Sequence, residues 1–294
     1  MRDKPSWREL AFALRGSIVP AIAPRIALLM LFSAAMVLLH QRTAAFPEID
    51  AAGFTVFGIA LSLFLGFRNN AAYERWWEAR KLWGGLLADL RSFAREAQLF
   101  VPDEALQRRL VRLSLAFIHL HRANLRRLPD DPRARELAGD LADAPHPPDA
   151  ALDRIAGELA AGVRAGVVDG FGAKALAERL ASITVQQAGC ERIATTPLPY
   201  VYSLLIYRTT YLYCLLLPLA LVGPAGWMTL LFVGIVAYVF LGLAEVTEDL
   251  SHPFGTTPNA LPLDAICRAA EISLAPHLGE QPPAPLEARD FYLS

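Results

Sequence analysis

The composition of this chain is that of a membrane protein. Its 294 residues are 54% hydrophobic and only 19% charged, whereas soluble globular chains average about 25% charged residues. The formal net charge of −1 gives no sign of the strongly basic surface that marks nucleic-acid-binding proteins, so no nucleic acid is expected as a partner.

The N-terminal residues 1–16 and the apolar run after them predict a retained membrane helix. The first segment is polar and amphipathic, and its basic side chains include Arg8 and Arg15. The run that follows is too long for the apolar core of a secretory signal and lacks a clear small-residue cleavage pattern. We therefore expect a first transmembrane helix that is not removed.

Four apolar segments are long enough to cross a bilayer, which takes about 20 apolar residues in a helix. We predict transmembrane helices at approximately 18–39, 51–67, 201–222 and 227–245. Basic residues are frequent before the first and after the second of these, and nearly absent from the connections at 41–50 and 223–226. Because basic flanks remain in the cytoplasm, both termini and the middle of the chain are predicted to be cytoplasmic.

Two arginines interrupt the predicted spans, Arg25 in the first and Arg208 in the third. A charged side chain inside a bilayer is costly and is usually paired. Glu245, Glu248 or backbone carbonyls are the candidate partners, and we expect structural pairing rather than a role in transport.

The second predicted span continues beyond the membrane as one long helix. No proline or other strong breaker lies between Gly66 and Phe100, and apolar residues recur there at helical spacing. We predict one helix from about Ala51 to Phe100 that leaves the bilayer near Phe67. Three tryptophans of its extension are expected to pack between subunits rather than to form an interfacial belt: Trp76, Trp77 and Trp83.

The region at about 68–200 is predicted to be helical and cytoplasmic. Asp103 is the expected N-cap of a helix that reaches about residue 124. The proline-rich stretch at 128–149 is expected to be irregular, and further helices are predicted at 152–165 and 170–194.

Two proline-rich segments flank the last predicted helices. Thr196–Pro199 breaks the chain before the third span, and the tail at 276–294 is expected to be extended. Because the long second helix crosses every candidate domain boundary, we expect one structural unit with an all-α fold and four transmembrane helices.

An uncharged apolar stripe lies on the second span. Ile59, Leu63 and Phe67 recur at i, i+4 and i+8, and the stripe ends where the charged residues begin. Such a stripe usually packs against neighbouring helices. The alternative is a hydrophobic constriction that lines a pore and gates it by dewetting.

Three motifs, in this order, resemble the bestrophin family, and its bacterial branch in particular; the first of them, at 64–84, contains two typical runs. The runs LGFRNN and RWWEARKLWG occupy 65–70 and 75–84, GCERIATTPLP lies before the third span at 189–199, and HPFG follows the fourth span at 252–255. The resemblance covers roughly residues 5–275 and has the motifs at the distances from the four spans that are typical of the family.

The resemblance implies a homopentameric ion channel in a lipid bilayer, here the inner membrane of a bacterium, with a single central pore for small monovalent ions. Ile59, Leu63 and Phe67 fall on the positions of a narrow hydrophobic neck. Phe171 falls on a second constriction at the cytoplasmic exit. Animal members pass chiefly chloride whereas bacterial members resemble cation channels, so the bacterial motifs favour cations while the uncharged neck leaves the sign open.

The resemblance also bears on calcium. Animal bestrophins bind calcium with an acidic run directly after the Pro-Phe-Gly landmark. In this chain the landmark is followed by residues 256–260, which hold no carboxylate, and the first acidic residue is Asp264. We therefore expect activity that is largely independent of micromolar calcium, and neither a metal nor a cofactor.

Other functions are weaker interpretations of the same residues. A secondary transporter typically has broken spans with polar ligands at mid-membrane, and an enzyme needs a convergent polar site, neither of which is evident here. His119 and His121 are two residues apart and do not share a helix face, which disfavours a metal site. Three widely spaced cysteines are interpreted as small core residues rather than disulfide partners: Cys190, Cys214 and Cys267.

Overall fold

The computed structural model describes residues 16–43 and 51–288, except for the side chain of Ala51. Within these ranges there are nine α-helices and no strand, which confirms the all-α prediction. The helices are α1 Val19–Arg42, α2 Ala51–Phe100, α3 Glu104–Arg126, α4 Pro132–Ala138, α5 Pro147–Arg164, α6 Gly170–Thr195, α7 Tyr200–Ala225, α8 Met228–Ser251 and α9 Leu263–Leu278.

Some predictions lie outside the described residues. They concern the amphipathic N-terminal segment up to residue 15, most of the connection at 41–50, and the last six residues of the tail.

Four helices, α1, α2, α7 and α8, are long and apolar enough to cross a membrane, and the four predicted spans fall on them. The prediction of one long second helix is also confirmed, because α2 runs for 50 residues without interruption. At a rise of 1.5 Å per residue α2 is about 75 Å long, which is more than twice the roughly 30 Å of a bilayer's hydrocarbon core.

The described residues form two compact units. One contains the residues up to 75 together with 197–251, and the other contains 76–196 together with the residues from 252 onward. The long helix α2 contributes residues to both. The single structural unit expected from the sequence stays a prediction.

The first unit packs the membrane-crossing helices around a small apolar core that includes Ile22, Leu65, Tyr213 and Val233. Within it Arg25 donates a hydrogen bond to Glu245 at 3.1 Å, which confirms the predicted pairing of this arginine. Arg208 is exposed and makes no ion pair within the described ranges. Of the partners suggested for it, Glu245 pairs with Arg25 and Glu248 with Arg68.

The second unit is built around α3, most of whose residues are buried. Trp83 of α2 is fully buried, and its ring stacks on His121 with centroids 5.5 Å apart. His121 also stacks on Phe117 at 5.8 Å. The expectation that Trp83 packs between subunits is therefore wrong, because its ring lies inside the core of one chain.

Buried ion pairs fasten α3 to α9 and α4. Arg122 donates to Asp264 at 2.8 Å and Arg126 donates to the other oxygen of the same carboxylate at 2.7 Å. Arg122 also pairs with Asp131, and Arg133 of α4 donates to Glu271 of α9 at 2.9 Å. The bonds are charge-assisted, and they give the buried guanidinium groups of Arg122 and Arg126 a carboxylate partner, without which burial would be costly.

The proline-rich stretch at 128–149 is more ordered than predicted. It holds α4, a 3₁₀ helix at Gly139–Asp143 and the start of α5. Pro132 stands at the start of α4, where a missing N–H costs nothing, and Asp131 caps that helix by accepting from the Ala134 N–H at 2.8 Å. Pro132 and Pro147 therefore mark helix starts, whereas Pro129 and Pro145 lie in the short connections between the helices.

The tail also begins later than predicted. Helix α9 continues through Pro276 to Leu278 and ends at Gly279, whose φ of 73° suits a glycine C-cap. Leu274, Ala275 and Leu278 are buried, and this packing holds the last turn in spite of the proline. The residues from 280 to 288 have neither helix nor strand.

Candidate pore-lining site

The three predicted neck residues share one exposed face of α2. Ile59, Leu63 and Phe67 are 59%, 53% and 65% exposed. Leu61 and Leu65 on the opposite side of the same helix are buried in the core of the first unit. The described part of the chain therefore does not cover the stripe, and its role as a pore neck stays a prediction.

Tight packing of α2 against α7 keeps the stripe turned outward. The Phe57 ring meets the Tyr213 ring edge-on at a centroid distance of 5.5 Å. A Cβ added to Gly58 would lie 2.7 Å from the Tyr213 hydroxyl, so only glycine permits this approach. Because these contacts fix the rotation of α2 about its axis, they also fix the direction in which the stripe points.

Two arginines at the end of the stripe are turned away from it. The guanidinium of Arg68 donates to Glu248 at 2.8 Å and to the Ser203 hydroxyl at 3.0 Å, and its side chain is only 8% exposed. Arg75 donates to the Ser251 carbonyl at 2.9 Å. These partners lie between 135 and 180 positions away along the chain, so helical periodicity gives no signal for them.

Phe171 is the most exposed of the large apolar side chains described, at 85%. It is the second residue of α6, directly after Gly170. The N-cap is Asp169, whose carboxylate accepts from the Gly172 N–H at 2.6 Å. A Cβ at Gly172 would lie 2.6 Å from Cβ of Phe100, so this close contact holds the start of α6 while the Phe171 ring stays free.

The two histidines of α3 are core residues. Burial lowers the pKa of His121 to about 3. Burial and the neighbouring charge of Arg122 lower the pKa of His119 to about 4, although His119 Nε2 lies 3.1 Å from a Glu271 oxygen. In the described part of the chain no group of three His, Cys, Asp or Glu residues could hold a metal ion.

The three cysteines are buried and free, as the sequence predicts. Burial raises the pKa of the Cys190 and Cys267 thiols in the second unit. These thiols are therefore protonated at neutral pH and belong to the packed interior rather than to a reactive site.

Comparison with known proteins agrees with this arrangement. Residues 1–276 match the family described as Bacterial/Fungal Bestrophin protein. The chain is 46% identical to a voltage-dependent anion channel-forming protein of Mesorhizobium japonicum, over 100% of this chain and 97% of the relative. It is 41% identical to the voltage-dependent anion channel-forming protein YneE of Escherichia coli, over 93% of this chain and 92% of that protein.

Comparison with solved structures also finds bestrophins. A crystal structure of a bacterial bestrophin homologue from Klebsiella pneumoniae superposes with a TM-score of 0.84 at 33% identity, covering 89% of this chain and 100% of that chain. The chain belongs to the bacterial and fungal branch of the bestrophin family, a family of ion channels rather than of enzymes.

Proposed function

We propose that this chain assembles as a homopentamer in a bacterial inner membrane and passes small monovalent ions through one central pore. In this proposal α2 of each subunit lines the pore. Rings of Ile59, Leu63 and Phe67 form a hydrophobic neck, and Phe171 narrows the cytoplasmic exit. The observation that carries the proposal is the exposed, uncharged stripe on α2, which residues 16–43 and 51–288 leave uncovered.

Closed rotational symmetry explains why the stripe is exposed in a single chain. One copy of α2 cannot enclose a pore, whereas the same face repeated around an axis can. Apolar rings resist wetting, so an ion that enters the neck must give up part of its hydration. Such a neck controls whether ions pass without holding them at a binding site.

The sign of the permeant ion is the finer part of the proposal. The relatives from Mesorhizobium japonicum and Escherichia coli are named anion channel-forming proteins, whereas the motifs of the bacterial branch favour cations. The neck itself carries no charge that would decide the sign. We propose a preference for monovalent cations, to be tested by the reversal potential in asymmetric KCl across a planar bilayer.

The neck is tested by removing its bulk. The variant Ile59→Ala/Leu63→Ala/Phe67→Ala is expected to widen and rehydrate the passage, and so to raise single-channel conductance or open probability. Mass determination in detergent should first give five copies for both the wild type and the variant.

A matched control is available on α8. Leu231, Ile235 and Val239 have the same i, i+4, i+8 spacing and are each about half exposed. The corresponding triple alanine variant is expected to leave conductance unchanged. A stable monomer would contradict the pentamer, and equal conductance of the wild type and the neck variant would mean that the stripe packs against lipid or a neighbouring subunit. Slow, saturable flux without single-channel steps would instead favour a transporter.

A further inference from the structure

The exposed face of α2 does not end at the neck. Phe67, Asn70 and Glu74 stand at i, i+3 and i+7, which is one face of a helix, and all three side chains are exposed. At 1.5 Å per residue, Glu74 lies about 10 Å beyond Phe67 along the helix axis. The apolar stripe is thus followed by an amide and then by a carboxylate.

The Glu74 carboxylate has no counter-charge among the residues that the structure describes. It makes no hydrogen bond or ion pair with any residue in the described ranges. The nearest arginines on α2 are engaged elsewhere, Arg68 with Glu248 and Arg75 with the Ser251 carbonyl. The next carboxylate on α2, Glu78, is by contrast paired with Arg192.

We propose that Glu74 forms a ring of carboxylates at the cytoplasmic end of the neck, and that this ring concentrates monovalent cations and repels anions. The proposal rests on the pore described under the proposed function. Rings of acidic side chains are a recurrent device for cation selectivity, and a charged cleft with low-dielectric walls can raise the local concentration of counter-ions about tenfold or more. The uncharged neck then sets the barrier, while Glu74 sets the sign of the ions that reach it.

A lysine further along α2 does not cancel this ring. Lys81 is exposed and lies seven residues beyond Glu74, or about 10 Å along the axis. The Debye length at physiological ionic strength is about 8 Å. At 0.1 M salt the Debye length is about 10 Å, so the two charges are about one screening length apart and screening weakens the effect of Lys81 on ions beside Glu74.

The test is the cation-to-anion permeability ratio of full-length protein in planar bilayers under a KCl gradient. Glu74→Gln is expected to shift the reversal potential toward the anion side and to lower the ratio at least about twofold. Glu74→Asp keeps the charge and should keep the ratio. Asp153→Asn removes another exposed carboxylate that has no ion pair within the described ranges, and it should change nothing.

Salt concentration separates an electrostatic ring from a structural role. The effect of Glu74→Gln should be largest near 0.1 M KCl and small near 1 M, where the Debye length falls to about 3 Å. If Glu74→Gln does not assemble, the wild type and Glu74→Asp still test the ring, because both should carry excess cation conductance at low salt. Absence of that excess would overturn the inference.

The neck variant keeps the two proposals distinguishable. A change of conductance in Ile59→Ala/Leu63→Ala/Phe67→Ala, with an unchanged permeability ratio in Glu74→Gln at low salt, would refute the ring and leave the pore standing. If neither variant changes conduction, the proposed pore itself fails, and the ring fails with it.

Discussion

Several large apolar side chains are exposed to solvent in a single chain, and the packing within that chain gives no reason for their exposure. Fully burying a large apolar side chain contributes about 1.5–3 kcal/mol, and Phe171, at 85% exposure, gains almost none of this. Its backbone is nonetheless held firmly by the Asp169 cap and the Gly172 contact. A well-held backbone that presents a free aromatic ring is what an aperture formed by several copies requires.

Phe171→Ala is expected to widen the cytoplasmic exit. The permeability of large monovalent ions relative to small ones should rise, because the aperture is the last filter on ion size. Stability should change by less than about 0.5 kcal/mol, as for other exposed positions. The measurement is a series of reversal potentials with ions of increasing radius.

Val185 provides the control for that series. It is exposed and lies on the same helix α6, so Val185→Ala tests whether any loss of apolar surface has the same effect. Equal relative permeabilities in the wild type and Phe171→Ala would show that the aperture has been assigned to the wrong residue.

At this scale the sequence correctly predicted which side chains share one face of a helix. The register alone put Ile59, Leu63 and Phe67 on one face, and their exposure agrees. It could not find the partners of Arg68, because Ser203 and Glu248 come from distant parts of the chain. Contacts of that range depend on packing, which leaves no periodic signal in the sequence.

At the scale of helices, the sequence prediction and the structure differ most where the chain is rich in proline. Pro132 and Pro147 were interpreted as marks of an irregular stretch, yet they begin α4 and α5. An aspartate directly before a proline, here Asp131 before Pro132, is a signal for the start of a helix. The high proline content of 128–149 outweighed this signal in the prediction. The prediction was right where breakers were absent, as in α2, and wrong where proline had two possible meanings.

The buried ion pairs between α3 and α9 give a prediction about stability. Asp264→Asn leaves Arg126 and one side of Arg122 without their carboxylate. Loss of one partner of a buried pair typically costs 3–5 kcal/mol, and we expect about 3 kcal/mol because Asp264 is partly exposed. Thermal unfolding of the purified protein in detergent should show a clearly lower midpoint.

The ion pair between Asp140 and Arg154 serves as the comparison. Both side chains are exposed, so Asp140→Asn should cost less than about 1 kcal/mol. Similar midpoints for Asp264→Asn and Asp140→Asn would mean that the α3–α9 pairs contribute no more than a surface pair.

At the scale of the whole molecule, composition and hydropathy predicted the membrane spans, and the motifs predicted the family. These predictions rest on patterns along a single chain, and the predicted spans and the predicted family are both confirmed. The number of subunits is a different kind of property, since it depends on how surfaces of separate copies meet. The exposed stripe on α2 is the proposed site of such contacts, and mass determination in detergent counts the copies.

The last prediction is that micromolar calcium does not control this channel. Calcium sites need 6–8 oxygen ligands, with carboxylates supplying much of the affinity. Asp264, the first carboxylate after the Pro-Phe-Gly landmark, is already bound by Arg122 and Arg126. The Asn259 carbonyl accepts from the Trp76 indole at 3.0 Å, so it too has a protein partner.

Carboxylates before the landmark are engaged in the same way. Glu245 pairs with Arg25, and Glu248 pairs with Arg68. A calcium ion would have to displace these arginines, and the exchange would leave guanidinium groups without a counter-charge. We therefore expect bilayer currents with calcium buffered at micromolar levels to match those recorded after chelation. A steep loss of current on chelation, restored when calcium is returned, would show that the channel carries a calcium site built from other ligands.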